Sequence, residues 1–235
     1  DFMGLETSKK IVSDYGKADL ITANNVYAHV DDVHAVTDGI ISCLDPKGLF
    51  VFEVSYAMDV IDKKLLGTIF HEHMSYHSLS PILNYLKSKN MEVVNVSRSS
   101  LQGGSLVCFA QHINGPYKVS QSVQDLLELE KNYKIQSPET LFKFSEKLNN
   151  IKNQINILLD EFKEKNKSIA GFASSRAATT LIKYFDIADK IDFIVDDNED
   201  KHNKFTPGSR IEVLPSEKIY EKKPDYLIIF AWEWS

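Results

Sequence analysis

Three histidines and a glutamate crowd into the string Phe70-His71-Glu72-His73-Met74-Ser75-Tyr76-His77. A second polar string, Asn24-Asn25-Val26-Tyr27-Ala28-His29, precedes it, and Glu53 closes an apolar run between the two. An imidazole titrates near pH 6.5, so it can take up or release a proton at neutral pH. Amides and carboxylates orient such rings and meet developing charge. Brought together, these residues are the material of acid–base catalysis. As metal ligands the histidines fit poorly. The His-Glu-x-x-His spacing that puts two rings on one helix face is absent. Plainer readings stay open: loop histidines satisfied by water or backbone, His29 capping a helix start, and Asn24 and Asn25 capping the next helix. In an extended segment His71 and His73 would share a face, so spacing does not choose between them.

Two further strings carry weaker signals. Gly103-Gly104-Ser105 either brings backbone close to a ligand or closes a hairpin. Ser174-Ser175-Arg176, between an apolar run and a helical pattern, offers hydroxyls, amides and a guanidinium at a helix start, as an anion site or as a simple cap. The signatures Gly-x-Ser-x-Gly and Gly-x-Gly-x-x-Gly are absent from the sequence, as is a Gly-Lys-Ser/Thr phosphate loop.

The elements that must position these residues alternate between strand and helix. Helical patterns cover residues 7–16, 31–44 and 81–89, with a turn at 45–48. Strand patterns cover residues 18–23, 49–54, 91–96 and 105–111, and a loop fills 55–80. Strand, helix and strand in close succession imply parallel pairing. From residue 119 apolar residues recur at helical spacing, first in one helix and then in a long one from about residue 138. A second alternation follows. Strands are predicted at 168–173, 190–195 and 210–214, with a buried strand at 226–231. Helices are predicted at 176–185 and 215–221, and a polar loop at 196–204. The expected class is α/β: two α/β units joined by a helical bridge over 113–165.

The 235 residues are 43% hydrophobic and 26% charged, an ordinary globular composition. The net charge is −6, and the only arginines are Arg98, Arg176 and Arg210. An acidic chain without an arginine cluster is not expected to bind nucleic acid. The lone, distant Cys43 and Cys108 suit buried thiols of a reducing compartment. No run of about 18 apolar residues suggests a membrane span, and no secretory signal is visible. A cytoplasmic location is expected. Both ends of the chain read as cut from a longer protein.

The strings Thr22-Ala23-Asn24-Asn25-Val26-Tyr27-Ala28-His29, Val51-Phe52-Glu53-Val54, Thr68-Ile69-Phe70-His71-Glu72-His73-Met74-Ser75-Tyr76 and Gly103-Gly104-Ser105-Leu106 resemble one family in order and spacing. It is the S-adenosylmethionine-dependent C-methyltransferases that act on nucleotide-linked 4-keto-deoxysugars. Ile169-Ala170-Gly171-Phe172-Ala173-Ser174, Val195-Asp196-Asp197-Asn198, Phe205-Thr206-Pro207-Gly208 and Phe230-Ala231-Trp232 extend the likeness. The resemblance implies that residues 1–112 are the C-terminal part of a Rossmann-like methyltransferase domain. The bridge 113–165 and a second, Rossmann-like α/β domain over 166–235, truncated at its end, would follow. It implies S-adenosylmethionine as cofactor, held by Asn24 and Asn25, and a structural zinc in a separate N-terminal region, with no metal site in this chain. His73 falls on the family's general base, with Glu72, His29 and Asn25 beside it in the sugar site. Phe70, His71, Ser75, Gly104, Ser105 and Arg176 are the expected substrate contacts. Two departures stand out. Phe70 replaces the family's usual tyrosine, and Ser175-Arg176-Ala177 replaces a stretch that normally holds a lysine, so Arg176 is expected to meet phosphate. The alternatives are methyl transfer to oxygen or nitrogen, a nucleotide-sugar-binding protein without catalysis, and an NAD-type enzyme.

Overall fold

The computed structural model describes residues 2–231. The chain forms two compact units, one from residues 1–63 and 71–140, the other from 64–70 and 141–235.

The first unit runs α1 (Leu5–Tyr15), β1 (Ala18–Asn24), α2 (Val33–Cys43), β2 (Leu44–Ser55), α3 (Ala57–Asp62), α4 (Leu79–Ser88), β3 (Met91–Ser99), β4 (Ser105–His112) and α5 (Gln121–Tyr133). Its sheet has the order β1-β2-β4-β3. β1 and β2 are parallel, as the α2 crossover requires. β4 runs antiparallel to both β2 and β3. Along β2 the residues Phe50, Phe52 and Val54 alternate into the core, where Tyr27 stacks 5.2 Å from Phe52. Asp32 starts α2 by accepting the Ala35 N–H at 2.9 Å. The start of α4 is closed from another helix. Glu130 of α5, only 3% exposed, accepts the N–H groups of Leu79 at 2.5 Å and Ser80 at 3.1 Å.

Two expectations change here. Residues 45–48 are not a turn between elements but a bulge inside β2. Pairing with β1 jumps from Ala18–Leu44 to Leu20–Leu49, and Asp45 ties the bulge by accepting the Lys47 N–H at 2.9 Å. The loop expected over 55–80 contains α3 and a 3₁₀ turn, Leu66–Thr68. Each is too short to show a helical period.

The second unit contains α6 (Pro138–Glu164), most of which lies in it, then β5 (Ile169–Phe172), α7 (Arg176–Phe185), β6 (Phe193–Asp196), β7 (Lys204–Phe205), β8 (Glu212–Pro215), α8 (Lys218–Lys222) and β9 (Tyr226–Ile229). The sheet order is β7-β8-β6-β5-β9, parallel except for β7. Parallel strands thus run outward from β5 in one direction as β6 and β8 and in the other as β9. That is half of a doubly wound arrangement, with its switch point at β5 and β9. Leu148 and Leu159 of α6 pack with Ile169 and Ile182 in this unit's core. A side chain at Gly171 would stand 2.7 Å from the Phe230 ring, so β5 needs a glycine there. The last strand was expected to be buried. It is an edge strand instead, with Tyr226 39% and Ile229 53% exposed. Trp232 lies outside the described residues.

Candidate active site

The carboxyl ends of β1 and β2 lie side by side, with Asn24 opposite Glu53 and the Asn25 N–H donating to the Glu53 carbonyl at 2.9 Å. Asn25 turns the chain in the left-handed region, at φ 53°, into the 3₁₀ turn Tyr27–His29. The histidine loop is pinned at both ends. Met74 N–H donates to the Ala28 carbonyl at 2.7 Å, and Ala57 N–H donates to the His77 carbonyl at 2.8 Å. Its path therefore leads from the turn after β1 to the residues after β2. This brings the His73 ring edge-on to His29, 4.8 Å between centroids, and 6.2 Å from the Tyr76 ring. His71 is 80% exposed, its Nε2 4.0 Å from a Glu72 oxygen. Residues 71–72 form a turn and not an extended segment. Ser75 Oγ is 2.9 Å from His77 Nε2, and burial holds the His77 imidazole below its usual pKa.

The capping readings fail for the first string. α2 is capped by Asp32, the 3₁₀ turn has no side-chain cap, and His29 ends that turn instead of starting it. Asn24, Asn25, His29 and His73 therefore gather at one edge of the sheet.

The glycine turn is clamped beside them. Gly103 has φ 85° and Gly104 φ 151°, and a side chain on Gly104 would stand 2.5 Å from Asp59. The Asp59 side chain is 2% exposed and receives Arg98 Nη2 at 2.7 Å and Lys63 Nζ at 3.1 Å. Lys63 also donates to the Gly103 carbonyl at 2.6 Å, and Tyr56 N–H to the Gly104 carbonyl at 3.2 Å. Arg98 lies over the Tyr56 ring, 5.2 Å from its centroid. Ser105 Oγ then donates to Glu53 Oε1 at 2.5 Å. The sequence reading did not find Asp59 or the use made of Arg98. The two are 39 positions apart, and nothing local to either signals the pair.

In the second unit Ser175 caps α7 by accepting the Ala178 N–H at 3.1 Å. Ala173 sits at φ 72°, and Ser174 N–H donates to Asp196 Oδ2 at 2.7 Å. Asp196 also receives Asn198 N–H and Lys201 Nζ, each at 2.9 Å. Burial opposes the charge, yet Lys201 and the two backbone donors hold this carboxyl below its usual range. Residues 64–70 belong to this unit, with Leu66 buried in its core and Thr180 Oγ1 donating to the Ile69 carbonyl at 2.7 Å. Arg176 faces the Phe70 ring, 5.0 Å from its centroid. The ring without a hydroxyl therefore has a guanidinium against it.

Among the described residues no three His, Cys, Asp or Glu side chains form a group that could hold a metal ion. Cys43 and Cys108 are buried free thiols, and burial raises the Cys108 pKa far above its usual value. Two clefts are lined by other residues: about 420 Å³ beside Glu130, Lys131 and Lys134 in the first unit, and about 330 Å³ beside Thr179, Lys183 and Pro207 in the second. No described helix is long and apolar enough to cross a membrane.

Two sheets, one with imidazoles and amides gathered at its strand ends and one forming a doubly wound half, define an α/β protein. Residues 100–235 match the C-methyltransferase C-terminal domain and residues 4–96 match a methyltransferase domain, and the chain belongs to the C-methyltransferase family. C-methyltransferase NovU of Streptomyces niveus is 30% identical over 231 residues, which is 98% of this chain and 55% of NovU. The chain thus spans about half the length of that curated relative. Two solved structures are looser likenesses. Magnesium protoporphyrin IX methyltransferase of Synechocystis, with bound SAH, is 17% identical with a TM-score of 0.32, over 40% of this chain and 44% of its own. A SAM-dependent methyltransferase of Anabaena variabilis is 14% identical with a TM-score of 0.37, over 48% and 56%.

Proposed function

We propose that the protein is an S-adenosylmethionine-dependent C-methyltransferase that deprotonates the carbon beside the ketone of a nucleotide-linked deoxysugar and methylates the resulting enolate. The observation that carries this reading is the His73 ring packed on His29 above the strand end that presents Asn24 and Asn25. Family membership supports the reaction class. The likeness of the sequence strings supports the sugar.

His73 acts as the base. An imidazole can accept a proton from a carbon acidified by the adjacent carbonyl, and the His73 ring is half-buried. Asn25 and His29 donate to the enolate oxygen, where preformed dipoles stabilise charge as it develops. Glu72 fixes the loop imidazoles electrostatically. Arg176, at the capped start of α7, meets the anionic phosphates in the second unit. Asn24 and Asn25 would hold S-adenosylmethionine, because exposed and half-exposed amides suit the ammonium and carboxylate of its amino-acid end. When bound, the cofactor supplies an electrophilic methyl group. The zinc that the resemblance attaches to a separate region finds no donor set among the described residues, and no step depends on it.

The test is solvent deuterium uptake. The protein is incubated in heavy water with thymidine-diphosphate-linked 4-keto-6-deoxyglucose, without cofactor. Faster label entry beside the ketone than in the protein-free control is expected. A sugar that binds without label entry would remove C-methylation and leave transfer to oxygen or nitrogen.

A further inference from the structure

Glu53 closes the apolar run of β2 and stands on the same carboxyl edge as Asn24 and Asn25. It is half-buried. One oxygen, Oε1, is fixed by the Ser105 hydroxyl at 2.5 Å. Among the described residues nothing is bonded to the other oxygen, and no cation pairs with this carboxylate. The cations that brace the neighbouring glycine turn, Arg98 and Lys63, pair with Asp59 at 2.7 and 3.1 Å. A neutral group would serve a purely structural contact with Ser105 as well.

The surroundings hold this pair still. Ser105 is the first residue of β4 and follows a glycine that Asp59 packs against so closely that no side chain fits. Lys63 fixes the carbonyl before it and Tyr56 the next. The carboxylate is therefore held in place at the carboxyl end of β2, the strand end that faces Asn24. A carboxylate accepts hydrogen bonds and donates none. It favours a hydroxyl or protonated amine and repels a carbonyl or phosphate.

We infer that Glu53, oriented by Ser105, is a further substrate subsite that receives a hydrogen-bond-donating substituent of the acceptor sugar and so selects among acceptors. This rests on the proposed reaction and adds a specificity residue to it.

Calorimetry separates the two. The probes are thymidine-diphosphate-linked 4-keto-6-deoxyglucose, whose sugar carries hydroxyls at C2 and C3, and its counterparts lacking one or the other. Glu53→Gln keeps the shape and loses the charged acceptor. It is expected to weaken binding of the dihydroxy sugar by about 10- to 100-fold, the range for a charge-assisted hydrogen bond. The loss should shrink with one deoxy counterpart, because the two changes remove the same bond. Affinity for S-adenosylmethionine should not move. Ser105→Ala should show the same pattern with a smaller loss, and it decides the matter if Glu53→Gln does not fold. Wild-type protein that binds none of the three sugars overturns the substrate reading and this subsite with it. Wild-type protein that binds the sugars, with variants that match it or lose all three equally, overturns the subsite alone.

Discussion

The three histidines of the loop do unlike things although their type is the same. His73 packs on His29, the half-buried His77 meets the Ser75 hydroxyl, and His71 is 80% exposed near Glu72. The concentration of imidazoles was legible in the sequence because it is consecutive. The choice among them was not, because it depends on two backbone bonds that route the loop, Met74 to Ala28 and Ala57 to His77. General-base catalysis contributes about 10²–10⁴-fold. His73→Asn is expected to lower kcat by a factor in that range, abolish deuterium uptake and leave both substrates bound. His71→Asn should stay within a few-fold of wild type. Stopped kinetics and label exchange on both variants check this, and the reverse ranking would transfer the base to His71. For Arg176 the prediction is a raised KM for the nucleotide sugar with kcat little changed. Loss of a charge-assisted contact costs about 1.5–3 kcal/mol. An unchanged KM for Arg176→Ala would return the guanidinium to a structural role beside the Phe70 ring.

Elements in this protein are held by partners distant in sequence, which explains what a local reading found and missed. The long α6 was legible because 27 residues repeat an apolar spacing many times. The six-residue α3 shows less than two turns of pattern, yet its Asp59 anchors the glycine turn. The edge position of β9 was invisible because apolar composition does not say on how many sides a strand is covered. Two substitutions test the distant ties. Gly104→Ala forces a side chain onto Asp59 at φ 151° and is expected to cost about 1–3 kcal/mol. Glu130→Ala strips the first N–H groups of α4 of their buried acceptor, also at about 1–3 kcal/mol, while Glu130→Gln keeps one acceptor and should cost less. Denaturant midpoints measure both. A glycine variant as stable as wild type would mean that α3 yields easily and does not clamp the turn.

At the scale of the whole molecule, two cores were legible as two alternations of strand and helix, and the exchange of residues 64–70 into the second unit was not. A short apolar stretch carries no mark of which core it joins. The two units also differ in how acid should reach them. In the first, burial holds the His77 pKa below its ordinary value of 6.5. Between the folded and unfolded values the unfolded chain binds the extra proton, so stability is complete above pH 6.5 and falls as pH drops below it. In the second, Asp196 and Asp225 are held below the ordinary carboxylate value of 3.8, Asp225 at about 2 by Lys167 and Ser168. Their contributions are intact above pH 3.8 and are lost as pH falls through the folded values. Hydrogen exchange followed segment by segment should therefore show protection in α3, α4 and the strands of the first unit declining as pH falls below 6.5. The strands β5, β6 and β9 should hold until the carboxylate range. His77→Gln removes the titrating group and keeps a partner for Ser75, so it should flatten the first decline. Loss of protection in both units at one pH, or an unchanged slope in His77→Gln, would show that another group governs the acid response of the first unit.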